Sequence, residues 1–247
     1  MAKKKVTRSQ RLKAKKLNRE ITRQELRSAR GISKVFRKFS KDIDNTLKKT
    51  IKLKDIDFKT FTEDMAKVIA LNGRRTVKVI AELSDDLFNT KLELEGLAAV
   101  RNKAIERYNT VAKRNIKKIT QTTKDTISRI IKNGQKAGLN DNDIAKQIVE
   151  SVENMSISRA KTIARTEVRN ASNITSDETA KEGKLTKKTW LHTGGGFEDR
   201  PAHLALDGTT IKIDEQFDVN GFDADFPHDP SLPASEIISC HCLAIYV

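Results

Sequence analysis

Cysteine and proline are scarce, two and four residues among 247, and residues 1–200 contain neither. Without proline, nothing in that stretch forces a helix to stop. Two cysteines in a single C-x-C support no disulfide framework, so a reducing compartment at synthesis is the default. Apolar runs of about 18 residues are missing too, which excludes a membrane-spanning helix. The basic start is not followed by an apolar stretch, so it does not read as a secretory signal. No aromatic residue precedes Phe36, which argues against base stacking by the N-terminal region. Hydrophobic content is 37% against 33% charged residues, lean for one large core and suited to long helices that each bury one stripe.

Acidic residues are rare where basic ones abound. Residues 1–60 carry 21 Lys and Arg against 6 Asp and Glu, whereas Lys184–Val247 carries 5 against 10. The net charge of +15 is therefore a property of the N-terminal region, and the two ends should seek different partners. Residues 1–16 have little to bury and are expected to be a disordered basic tail. Residues 17–156 read as an elongated helical region. Leu17, Ile21, Ile32, Phe36, Phe39, Ile43 and Leu47 form one stripe, with Arg19, Arg23, Arg27, Arg30, Lys34, Arg37 and Lys41 roughly opposite and Gly31 as a place for a break. Phe61, Met65, Val68, Val77, Ile80, Leu87 and Phe88 repeat the pattern over residues 58–91. Ile105, Tyr108, Ala112, Ile116, Ile119, Thr123, Ile127 and Ile130 give a straight helix over residues 94–132, ended by Gly134 and Gly138. Asn140 or Asp141 would cap a short helix over residues 144–152.

Residues 157–247 read as a small α+β module. Its helix, over residues 158–181, sets Ala160, Ile163, Ala164, Val168, Ala171 and Ile174 on one arc with Glu167 near the middle, while Arg165 and Arg169 point away from it, so that carboxylate needs a partner from elsewhere. After Gly183 the period becomes 2. Strands are expected over residues 187–192 and 209–213, with Asp207-Gly208 as the turn before the second and Gly194–Gly196 as a mobile hairpin tip. The fold class is thus mainly α, with a small C-terminal α+β module.

Every Cys, His and Pro, and the single Trp, fall within Trp190–Cys242. Two His and two Cys make the ligand set of a structural zinc site, and His203, His228, Cys240 and Cys242 supply it. The plain alternative has the cysteines as small buried hydrophobes and His203 capping a turn. Asp199, His203, Asp207, His228 and Asp229 also supply the residue types for hydrolysis, so a metal-dependent nuclease centred on His203, Asp207 and His228 is an alternative reading. At the other end, Lys3, Lys4, Lys5, Arg8, Arg11, Lys13, Lys15, Lys16, Arg19, Arg23, Arg27 and Arg30 are candidates for sequence-independent contacts to a double-stranded DNA backbone.

ISRAKTIARTEVRNASN, a Trp on a strand, RPAHLALDGT, PHDP and a closing C-x-C occur in that order from about Ile157 to Cys242. In this the chain resembles the phage head-morphogenesis family named after the minor head protein F of phage Mu. By position, the motif residues are Arg165, Thr166, Glu167, Trp190, Arg200, His203, Leu206, Asp207, Gly208, Pro227, Cys240 and Cys242, with His241 standing where Arg is expected. The resemblance implies a non-enzymatic minor capsid protein, associated with the portal inside the procapsid and virion, with the host cytoplasm as its place during assembly. It implies as partners the portal protein, scaffold or major capsid protein, and genomic DNA, with no membrane while in the capsid, and homo-oligomers or several copies per portal. It also implies help with head assembly, DNA packaging or ejection. An ADP-ribosyltransferase-like activity is the enzymatic alternative that the same resemblance allows. Glu167 and Arg200 are expected in a buried polar network.

Overall fold

The computed structural model describes residues 6–48, 52–194 and 199–247. Four long helices come first: α1 (Arg8–Leu47), α2 (Phe58–Phe88), α3 (Leu94–Lys136) and α4 (Asp141–Glu182). The C-terminal part holds β1 (Lys187–Leu191), α5 (Pro201–Leu206), β2 (Thr210–Lys212), β3 (Phe217–Val219), β4 (Phe222–Ala224), α6 (Ala234–Ile237) and β5 (Leu243–Tyr246). The protein is mainly α with a small C-terminal α+β region. No helix among the described residues is long and apolar enough to cross a membrane.

Local chemistry sets the helix ends. The Thr7 hydroxyl accepts from the Gln10 N–H at 3.1 Å and the Gln10 side chain accepts from the Thr7 N–H at 2.9 Å, a reciprocal capping box that starts α1. Helix α1 therefore begins inside the stretch expected to be disordered, and it buries Ala14 and Leu17. Residues 1–5 of that stretch lie outside the described residues. Gly31 does not break the helix. Asp57 caps α2 through the Thr60 N–H, and Asn140 caps α4 through the Asp143 N–H at 3.0 Å. Helix α3 ends in a Schellman arrangement: Leu139 N–H donates to the Gly134 carbonyl and Gly138 N–H to that of Gln135, with Gly138 at φ +70°. Gly134 itself stays helical. The two helices expected over residues 144–152 and 158–181 are one continuous α4.

The chain divides into two compact units, each drawn from separated stretches. The second unit comprises Leu26–Leu71 and Thr110–Ala164. Its core is an aromatic cluster, with the Phe39 and Phe61 rings 4.4 Å apart and Phe36 5.5 Å from Phe61, continued by Ile116, Ile127, Ile131, Ile148 and Val152. The buried Ile69 and Ile131 take the places expected for Val68 and Ile130, a shift of one residue along each stripe.

The first unit comprises Met1–Glu25, Asn72–Asn109 and Arg165–Val247. At its centre α4 is buried on all sides from Glu167 to Ala180. Such a helix is usually apolar all round. Here small and hydroxyl residues replace apolar ones and satisfy themselves: Ser172, Thr175 and Thr179 each donate to the carbonyl four residues back, at 2.6–2.8 Å. The antiparallel sheet runs β2-β1-β5, with Lys188 opposite Ile211 on one side and Tyr246 on the other. The end of α2 meets the sheet where the Phe88 ring lies 5.4 Å from that of Tyr246. A second hairpin, β3-β4, turns at Asn220-Gly221, both at positive φ. This Asn-Gly between Phe-Asp-Val and Phe-Asp-Ala is a strong hairpin signal that the period-2 reading passed over.

Candidate functional site

The Trp190–Cys242 segment closes on one buried cluster in the first unit. Trp190, Ile211, Phe217, Val219, Ala224, Leu232, Ile237, Cys240 and Cys242 pack together. The Trp190 indole stands edge-on to the His203 ring at 5.5 Å and to Phe217 at 5.3 Å. Pro201 at the first helical position starts the single-turn-and-a-half α5, which carries His203 inward. Cys240 and Cys242 lie just before β5 rather than on a strand; both are free thiols and both are buried. His203 Nδ1 is 3.4 Å from Cys240 Sγ and 3.5 Å from Cys242 Sγ. The other face of the ring is fixed by Glu236, whose Oε2 lies 2.9 Å from Nε2.

Of the four residues expected to hold zinc, three meet. His203, Cys240 and Cys242 place their ligand atoms within 4.8 Å of one another. His228 does not join them: its Nε2 lies 2.9 Å from the Cys240 carbonyl oxygen, to which it donates. The correction has a physical reason, since the C-x-C backbone itself needs buried hydrogen-bond donors. His192 instead stands beside one of the sulfurs, its Nδ1 3.5 Å from Cys242 Sγ and its Nε2 3.0 Å from Asp199, outside the group of three. His192 directly follows β1, two residues after Trp190, and that position was the signal by which it could have been found.

The two thiols do not behave alike. A hydrogen bond from Cys242 holds Cys240 well below the ordinary thiol range despite burial, while the same contact together with burial pushes Cys242 well above it. The pair therefore gives up one proton readily and keeps the second. At His203 burial lowers the pKa, but the contacts with Cys240 and Glu236 outweigh it and raise the value.

The remaining motif residues serve architecture. Glu167 is buried on α4 and accepts from the Tyr108 hydroxyl of α3 at 3.1 Å, so its partner does come from another element. Arg200 donates to the Ile238 carbonyl at 2.7 Å and lies 4.0 Å from Glu236, apart from the Glu167–Tyr108 contact. Asp207 accepts from the His192 N–H at 3.0 Å and faces Arg11 at 3.8 Å. Gly208, at φ +80°, donates its N–H to the Trp190 carbonyl, tying the turn to β1. Arg165 and Thr166 are half-buried on α4. His203, Asp207 and His228 do not gather as a metal-binding set; among the described residues only His203, Cys240 and Cys242 do. Gly195–Gly196 of the expected hairpin tip lie outside the described residues.

One residue was misjudged. Arg169, read as pointing away from the apolar arc, is 1% exposed. It donates to Glu25 at 2.7 Å and Asn18 at 2.9 Å, both on α1, and to the His241 carbonyl at 2.8 Å. The His241 ring is held neutral, its pKa lowered to about 4 by burial and then by Arg169 and Arg165. The wheel failed here because it gives α4 one buried face and the helix has no other kind. On α1, Arg8, Arg11, Lys15, Lys16, Arg19 and Arg23 are exposed and Lys13 is half-buried; Arg27 and Arg30, in the second unit, are exposed as well. Lys3, Lys4 and Lys5 lie outside the described residues.

The chain is 28% identical over 187 residues to the uncharacterized protein YqbB of Bacillus subtilis (strain 168), covering 74% of this chain and 60% of that protein. It is 38% identical over 109 residues to the NAD(+)--arginine ADP-ribosyltransferase EFV of Enterococcus faecalis (strain ATCC 700802 / V583), covering 42% of this chain and 22% of that protein. The chain thus spans less than two thirds of either relative. No solved structure matches at the same significance. A family model described as Phage Mu protein F like protein matches residues 125–245, which include every motif residue from Arg165 to Cys242. Over residues 125–245 this chain is therefore similar to the Phage Mu protein F like proteins.

Proposed function

We propose that the chain is a phage head-morphogenesis protein: a minor head protein, held at the portal inside the procapsid and virion, that contacts genomic DNA and assists head assembly, packaging or ejection. The observation that carries this reading is the family match over residues 125–245, whose motif residues Trp190, Cys240 and Cys242 lie in the buried core of the module. The module is then a rigid dock for the portal or for scaffold and major capsid protein, with several copies per portal. The exposed cations of α1 are the DNA contact. They stand one to two turns apart on a helix anchored in the same unit, and nothing about them reads base sequence.

Two experiments test the reading. Co-expression with the portal protein of the same phage should yield a complex that survives gel filtration; a chain that elutes alone removes the docking role. For DNA, charge reversal at Arg8, Lys15, Lys16, Arg19 and Arg23 should weaken duplex binding at low salt by at least about tenfold. If those cations neutralise about five phosphates, the logarithm of the binding constant should fall against that of salt with a slope of about −4 to −5. Unchanged binding would sink the DNA claim.

The EFV match favours a second reading, arginine ADP-ribosylation. The matched part is under a quarter of that protein, so a shared module accounts for it without shared chemistry. Turnover of NAD+ with an arginine acceptor by the purified chain would replace the structural reading.

A further inference from the structure

We propose that the first unit holds a structural zinc ion, bound by His192, His203, Cys240 and Cys242, and that Asp199 and Glu236 orient the two histidines.

The first argument is distance. Zinc at about 2.3 Å from sulfur and about 2.0 Å from nitrogen keeps a tetrahedral sulfur and nitrogen about 3.5 Å apart. Three sulfur-to-nitrogen edges have that length: Cys240 Sγ to His203 Nδ1 at 3.4 Å, Cys242 Sγ to His203 Nδ1 at 3.5 Å, and Cys242 Sγ to His192 Nδ1 at 3.5 Å. Hydrogen bonding alone explains them poorly. A neutral imidazole nitrogen has one in-plane lone pair, and His203 Nδ1 has two sulfurs at nearly equal range.

The second argument is the outer shell, and it is independent of the first. His203 turns Nδ1 to both sulfurs and His192 turns Nδ1 to Cys242, while Nε2 of each meets a carboxylate, His203 to Glu236 at 2.9 Å and His192 to Asp199 at 3.0 Å. A carboxylate at Nε2 keeps the proton there and leaves the Nδ1 lone pair free, the tautomer that a metal requires. Cys240 Sγ also accepts the Cys242 backbone N–H at 3.3 Å, which helps to stabilise a thiolate. Trp190 packs on His203, and His203, Cys240 and Cys242 are all buried, as the ligands of a structural site are.

The site would do for the module what a larger core does elsewhere. It joins the end of β1 (His192), helix α5 (His203) and the entry to β5 (Cys240, Cys242), three segments otherwise tied by short strands. His228, donating to the Cys240 carbonyl, supports the loop from outside the ligand set.

The test uses the full chain, reduced and purified after expression with zinc supplied. About one zinc per chain is expected, released when the thiols are blocked with a mercurial. X-ray absorption at the zinc edge should show two sulfurs at about 2.3 Å and two nitrogens at about 2.0 Å. Cobalt in its place should give thiolate charge-transfer bands and tetrahedral ligand-field bands. Substituting His192→Ala should weaken zinc binding by about 100-fold or more, and Glu236→Gln by about 10- to 100-fold. His228→Gln should keep one zinc per chain. A folded, reduced wild-type chain with no stoichiometric zinc would overturn the proposal, as would a sulfur-free metal shell. A His192→Ala chain that binds zinc as tightly as wild type would overturn the four-ligand assignment. The absorption spectrum of the wild-type protein decides the matter even if a variant fails to fold.

Discussion

Arg169 carries a full charge with 1% of its surface exposed, and it does so because three acceptors surround it on different stretches of chain. Removing one partner of such a buried pair leaves the other charge stranded. Arg169→Ala should therefore cost about 3 kcal/mol or more in urea unfolding, and Arg169→Lys should recover only part of it, since an ammonium cannot span the same fork. Sequence gave no hint of this role, because a helix wheel sorts residues by spacing and cannot know that every face of α4 is covered. Glu167 was legible for the opposite reason: a carboxylate amid Ala, Ile and Val has to have a partner, though only the fold names Tyr108. That tyrosine and Tyr246 are the only two in the chain, and both are pushed well above the ordinary value of 10. At Tyr108 burial acts first and then the Glu167 charge; at Tyr246 burial acts first and then the Asp177 charge. A group whose folded pKa is raised contributes stability below its unfolded pKa and loses it as pH rises. Native protein should thus show no phenolate absorbance through pH 10, and stability should fall above that pH by about 1.4 kcal/mol per unit per tyrosine. A normal titration near pH 10 in folded protein would contradict the packing of both rings.

At the scale of elements, the long helices were readable because their stripes keep one period for many turns, and the caps at Asp57 and Asn140 show how short signals fix the ends. What sequence could not show is where a stripe changes partners. Gly134 illustrates it: read as a helix terminator, it lies inside α3 because a Cβ there would sit 2.6 Å from Ile144 Cγ1. Alanine at this position gains about 1 kcal/mol of helix propensity but meets overpacking worth about 1–3 kcal/mol, so Gly134→Ala should be neutral to destabilising. Gly138 fails for another reason. Nothing lies within 4 Å of its would-be Cβ, yet φ is +70°, so Gly138→Ala should cost about 1 kcal/mol through backbone strain alone. Paired thermal melts of the two variants separate space from conformation. In the C-terminal module, β1 and β2 were legible from their alternation. The C-x-C geometry was not, because both cysteines lie in the segment before β5 and their meeting with His192 and His203 depends on three separate elements.

At the scale of the whole molecule, the first unit is not a C-terminal appendage, since it includes residues up to Glu25 and those from Asn72 to Asn109. The DNA experiment follows from this. Deleting residues 1–25 removes Leu17, Ile21 and the Asn18 and Glu25 acceptors of Arg169, so it should unfold the unit as well as remove charge. Far-UV circular dichroism should show lost helix beyond the deleted residues, whereas charge reversal on the exposed face should leave the spectrum intact. The Arg169 fork also sets an order of events during synthesis. Asn18 and Glu25 emerge early, Arg169 much later, and the His241 carbonyl after that, so the fork cannot close until the C-x-C segment has left the ribosome. Until then the part of α1 up to Glu25 shows its apolar stripe and its basic face together to the cell, and a chain cut short before Cys240 carries those cations beside an uncompleted first unit. The C-x-C segment thus acts as a check on the first residues, and a truncated chain should be cleared by proteases faster than the full one.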